Sequence, residues 1–142
     1  MGTNLGFVDV SLLDPEAGEI IDLLLNNGVS LPKHNLHCTL MYDKREIENP
    51  LAQLRPKEIF KAHVTSLEIL GDGMVFHLTS RELSDEHRRL KDAGYIHSFN
   101  AFLPHMSITY DFSKYDILKC RQVFANWGGR ELRFSNQSFG TE

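Results

Sequence analysis

The sequence predicts an α+β fold. Apolar residues alternate along several short stretches, as in half-buried strands. Three other stretches repeat them at helical spacing. The order is strand–helix–strand, hairpin, helix–strand, helix–strand, which gives two halves of comparable content. At 142 residues the chain fits one domain, 1–142, by the usual ~100–200 residues per domain. With 42% hydrophobic and 24% charged residues it has the composition of an ordinary globular protein.

The first strand covers about residues 6–12. Asp14 then stands as N-cap before Pro15 at the first helical position. Ala17, Ile20, Ile21, Leu24 and Leu25 follow at helical spacing, and Gly28 suits the stop. A loop with Pro32, Lys33 and His34 leads into a strand over 36–42. The polar stretch 43–57 reads as loop. Residues 61–70 and 74–79 form a hairpin around Gly71-Asp72-Gly73. A second helix runs from Arg81 to Ala93, with Leu83, His87 and Leu90 on one stripe and Gly94 at its end. Residues 104–110 are the next strand. Ser113, with Asp116 three residues on, opens a third helix. Its apolar face is Ile117, Cys120, Phe124 and Trp127, and Gly128-Gly129 closes it. A last strand covers about 131–139.

The net charge of −4 argues against a protein that grips long nucleic acid through bulk positive charge. It leaves open a small phosphate-containing ligand in a local pocket. The two cysteines, Cys38 and Cys120, suit neither a disulfide framework nor a zinc site, which points to a reducing compartment. The apolar stretch 5–13 is interrupted by Asp9 and has no basic lead, so it does not read as a signal peptide. No run approaches the ~20 apolar residues of a membrane span.

Seven histidines are many for an acidic chain, and two of them are arranged alike. The strand at 36–42 reads His37-Cys38-Thr39-Leu40, and that at 104–110 reads His105-Met106-Ser107-Ile108. Alternate side chains of a strand share a face. His37 therefore stands with Thr39, and His105 with Ser107, with Thr109 continuing that face. Leu36, Cys38 and Leu40, and Met106, Ile108 and Tyr110, are left for the side under the helices. The bare pattern His-x-Ser/Thr occurs four times, where chance gives about 0.8 matches. His63-Val64-Thr65 and His77-Leu78-Thr79 are followed by serine, which breaks the alternation, and belong to neighbouring strands of one hairpin. They read as surface or cross-strand residues.

Two such strands fit metal-free phosphodiester cleavage. An unperturbed imidazole titrates at ~6.5, so one ring can be neutral and take a proton while the other is protonated and gives one. Each such transfer typically contributes ~10²–10⁴-fold. Thr39 and Ser107 can donate to the non-bridging phosphate oxygens as charge builds there. No closely spaced His/Cys/Asp cluster offers metal-ligand geometry. Asp85-Glu86-His87 comes nearest, but consecutive helical positions point in different directions. Cys38 faces away from His37 and reads as core. His87, on the Leu83/Leu90 stripe, reads as a packed, hydrogen-bonded residue. Lys33 and His34 are loop residues within reach of phosphate.

These residues resemble the two-histidine phosphoesterase superfamily, and within it the phage anti-CBASS nucleases, which degrade cyclic oligonucleotide messengers. The resemblance rests on Leu36-His37-Cys38-Thr39-Leu40-Met41-Tyr42 after a Pro-basic loop. It rests also on Asp85-Glu86-His87-Arg88 in a helix ending Ala93-Gly94-Tyr95, and on Phe102-Leu103-Pro104-His105-Met106-Ser107-Ile108-Thr109-Tyr110. It implies two pseudo-symmetric lobes of antiparallel sheet, helices outside, around a central cleft. The halves are roughly 1–60 with the 131–142 strand interleaved, and 61–130. It implies catalytic roles for His37, Thr39, His105 and Ser107. Phe7, Lys33, Phe102 and Glu142 are the substrate-binding candidates, with Phe7 stacking on a base. It implies no metal and no cofactor. A tryptophan of the family pattern near 67–70 has no counterpart here.

The expected protein is thus a cyclic-oligonucleotide phosphodiesterase whose partner is that substrate, with no long nucleic acid and no membrane. We expect a monomer or weak homo-oligomer in the cytoplasm, the host's if the chain is phage-encoded. The alternatives are an RNA 2′,3′-cyclic phosphodiesterase with the same chemistry, a non-catalytic nucleotide sponge, and a purely structural interaction domain.

Overall fold

A computed structural model describes residues 5–32 and 35–140. The fold is α+β, with strands β1 (Leu5–Leu12), β2 (His37–Glu46), β3 (Phe60–Leu70), β4 (Gly73–Thr79), β5 (His105–Thr109) and β6 (Glu131–Phe139). The helices are α1 (Glu16–Asn26), α2 (Arg81–Asp92) and α3 (Lys114–Val123). Every strand pairing is antiparallel, and the six strands close into a ring in the order β1-β2-β5-β4-β3-β6.

The helix ends follow local chemistry. The carboxylate of Asp14 accepts the Gly18 N–H at 3.0 Å, ahead of a helix whose N-cap position is Pro15. Ser80 caps α2 by accepting the Leu83 N–H. Ser113 and Asp116 form a reciprocal capping box on α3. Each helix turns an apolar stripe inward: Ile20 and Leu24, Leu83 and Leu90, and Cys120 with Phe124 and Trp127 just beyond it are buried. Leu25, expected on the α1 stripe, is 57% exposed, because the stripe is centred on Ile20 and Leu24. Phe76 of β4 stacks on Trp127 and meets Phe124 edge-on, which joins α3 to the sheet.

Strand β2 runs four residues past its expected end, to Glu46. The Asp43 carboxylate, fully buried, holds that extension in place. It accepts the Arg45 guanidinium at 2.6–3.2 Å and the Ile96 N–H at 2.7 Å. The Arg45 hydrogen bond keeps the Asp43 carboxyl down at about 2, against the cost of burying its charge.

Both motif strands carry a bulge at the same place. On β1, Asp9 and Val8 pair with Thr39 and Met41, so Leu40 is the extra residue. On β4, Val75 and Met74 pair with Ser107 and Thr109, so Ile108 is the extra residue. A bulge reverses which later side chains face in. Leu40 and Met41 are therefore both buried, as are Ile108 and Thr109. This corrects the simple alternation at 109 and 110: Thr109 turns into the core, and Tyr110, expected on the apolar side, is 58% exposed on the motif side.

Candidate active site

The two motif strands meet at one bridge, Cys38 opposite Met106. Both are fully buried, so the residues on either side of them share the opposite face. Carrying the antiparallel register one step each way sets His37 across from Ser107 and Thr39 across from His105. Residues directly opposite in such a pair have Cβ atoms about 4.5–5.5 Å apart. The register thus puts two histidines and two hydroxyl residues at the four positions of one square on that face, each histidine opposite the other strand's hydroxyl residue.

The rings are anchored alike. His37 Nδ1 lies 2.8 Å from the Asn35 carbonyl oxygen, and His105 Nδ1 lies 2.9 Å from that of Leu103. A carbonyl only accepts, so Nδ1 carries the proton in both rings. That leaves each Nε2 as the nitrogen that can take or give a proton. The backbone repeats the match one residue before each histidine: the Leu36 carbonyl accepts the Leu12 N–H at 2.9 Å, and that of Pro104 accepts the Leu78 N–H at 3.0 Å.

A cleft of about 800 Å³ opens over His37 and Ser107, bordered by Asn35, Ile69, Tyr110 and Phe112. That is within the ~300–1,000 Å³ of small-molecule sites. Phe7 meets the His37 ring edge-on, with centroids 6.3 Å apart, and Tyr42 likewise at 6.1 Å. Phe102 goes elsewhere. It stacks on His87 at 4.2 Å and borders a second cavity of about 720 Å³ with His97, Phe99, Arg88 and Lys91. Lys33, His34 and Glu142 lie outside the described residues.

The remaining histidines sort by their contacts. His87 donates from Nδ1 to the Leu40 carbonyl at 2.7 Å, so it ties α2 to the bulge of β2. His97 Nδ1 accepts the Tyr42 N–H at 3.1 Å on the same strand. Burial holds both rings below the ordinary histidine range, and Lys91 adds to this in each. His63 is exposed, 4.0 Å from a Glu131 carboxylate oxygen. His77 is different: it pairs directly with His105 across β4 and β5, with ring centroids 6.5 Å apart. Its own motif gives no sign of this, because the register of β4 against β5 is a long-range property. Asp9, across from Thr39 on β1, is a carboxylate beside the square, and Ser138 donates to it at 2.7 Å.

Asp85, Glu86 and His87 diverge on α2: Asp85 reaches toward Arg81, Glu86 is buried between Arg89 and Gln137, and His87 turns to β2. No three His, Cys, Asp or Glu residues gather as metal ligands among the described residues. Burial pushes the Cys38 thiol up to about 12, which makes it a poor nucleophile.

Residues 6–127 match the family described as anti-CBASS protein Acb1. The chain belongs to the Acb1 family. The match takes in both His-x-Thr/Ser strands and the residues of the cleft that opens over them. Membership ties the chain to countering CBASS defence through cyclic nucleotide signalling, which cleavage and sequestration would each achieve. No curated protein sequence matches the chain. No helix among the described residues is long and apolar enough to cross a membrane.

Proposed function

We propose that this Acb1-family chain is a metal-independent phosphodiesterase of the two-histidine type. It cleaves a 3′–5′ bond of a cyclic di- or trinucleotide messenger, as a monomer or weak homo-oligomer in the cytoplasm. The observation that carries this reading is the matched anchoring of His37 and His105 through Nδ1, which leaves both Nε2 atoms for proton transfer. The cross-strand register supports it by setting Thr39 and Ser107 next to the rings.

In the first step one ring, neutral, takes the proton of a ribose 2′-hydroxyl. The 2′-oxygen attacks the adjacent phosphorus, the P–O5′ bond breaks, and the other ring, protonated, gives its proton to the leaving O5′. The product end is a 2′,3′-cyclic phosphate. The rings now hold exchanged protonation states, and water can open that phosphate by the reverse transfers. Thr39 and Ser107 donate to the non-bridging oxygens throughout. Phe7, beside His37, stacks a base.

The test is cleavage kinetics of a cyclic dinucleotide by His37→Ala and His105→Ala. Each change should lower kcat by about 10²–10⁴-fold, and the wild-type rate should be bell-shaped in pH. Variants that cleave at the wild-type rate would remove the two rings from the mechanism. Faster turnover of a linear RNA ending in a 2′,3′-cyclic phosphate would move the substrate to RNA ends.

A further inference from the structure

The two halves of the motif square are not equivalent, and they differ in the residues that come after each hydroxyl. After its bulge each strand leads a tyrosine back to the site side, Tyr42 on β2 and Tyr110 immediately after β5. Tyr42 packs against Phe7, its partner on β1. The matching place on β4 is Gly73, at the end of the Gly71-Asp72-Gly73 turn. With no side chain there, the Tyr110 ring lies against the β4 backbone: a Cβ on Gly73 would meet Tyr110 Cε1 at 3.0 Å and Ser107 Oγ at 3.5 Å. In that position the Tyr110 hydroxyl stands 2.9 Å from Ser107 Oγ.

The hydroxyl residues differ too. Thr39 is β-branched, so its methyl restricts χ1 and fixes where the hydroxyl points. Ser107 has no methyl and three open rotamers.

We propose that Tyr110, seated in the space left by Gly73, is a positioning residue that aims Ser107. This rests on the phosphodiesterase reading above. Tyr110 O–H donates to Ser107 Oγ, which holds the serine in one rotamer and leaves its own proton for a phosphate oxygen. Chains of this kind also polarise the terminal donor. Tyr110 thus does for Ser107 what the methyl group does for Thr39.

The test is a set of kcat and KM measurements on one cyclic dinucleotide that the wild-type protein cleaves. Tyr110→Phe keeps the ring and removes the hydroxyl. It should lower kcat by about five- to tenfold, the size of one hydrogen bond, with KM little changed. Gly73→Ala should do the same by displacing the ring. In a Ser107→Thr background the methyl is restored, so Tyr110→Phe should then cost less than about twofold relative to Ser107→Thr alone. A general packing role would predict the same loss in both backgrounds, and that result would overturn the proposal, as would a Tyr110→Phe enzyme with wild-type kcat. If the wild-type chain cleaves no cyclic nucleotide, the phosphodiesterase reading itself fails, which is a separate outcome.

Discussion

The chemistry of single residues here depends on what each polar atom is tied to. His37 and His105 spend Nδ1 on a carbonyl two residues back and keep Nε2 open, whereas His87 and His97 spend Nδ1 on the β2 backbone. The motif pairs were legible in the sequence because a strand has period two, so a histidine and a hydroxyl two apart must share a face. His77 was not, because only the pairing of β4 with β5 sets it beside His105. Asp43 shows the same dependence on partners. Its carboxyl is held at about 2 by Arg45, so the folded state gains stability above the ordinary value of 3.8 and loses it as pH falls toward about 2. Asp43→Asn should lower the Tm at neutral pH and flatten the fall of Tm between about pH 4 and 2. Parallel Tm–pH curves for variant and wild type would show that Asp43 carries no such linkage.

At the level of elements, the paired bulges decide what the site contains. The sequence placed the strands and helices within a few residues, since apolar periodicity and the capping residues at Ser80 and Ser113 are local signals. It could not place Leu40 or Ile108 as extra residues, because a bulge is defined by the partner strand. The faces of Thr109 and Tyr110 were therefore exchanged. The bulge on β2 is fastened from α2 and the loop after it, through the His87 bond to the Leu40 carbonyl and the Tyr42 N–H bond to His97. His97 can accept that N–H only when its Nδ1 is unprotonated. Burial, with His87 and Lys91 close by, disfavours the charged ring and lowers its pKa. The stabilisation is thus present above about 6.5, the unfolded value, and is lost as pH falls through the lower folded value. Thermal denaturation across pH 7 to 5 should show a falling Tm in the wild type and a shallower fall in His97→Gln. Equal slopes would mean that His97 is not the titrating fastener.

The whole molecule is a ring whose thinnest join is also its candidate site. Most neighbouring strands share several paired residues, while β2 and β5 share the single bridge Cys38–Met106. That join brings together two motifs 68 positions apart, and the cleft opens over it. Strand order and closure were beyond the sequence because they depend on pairings between distant segments, yet the two halves of similar content already suggested two motif strands in similar roles. The anti-CBASS family gives the biological setting, and the proposal of turnover rather than sequestration rests on the Nδ1 anchoring that leaves both Nε2 atoms for proton transfer. The most direct measurement is chromatography of the products after incubating the protein with a panel of cyclic di- and trinucleotides, with and without EDTA. Two-imidazole catalysis predicts linear products ending in a 2′,3′-cyclic phosphate or its hydrolysed form, at the same rate in excess chelator. Cyclic nucleotide recovered intact after denaturing the protein, or cleavage abolished by EDTA, would contradict it.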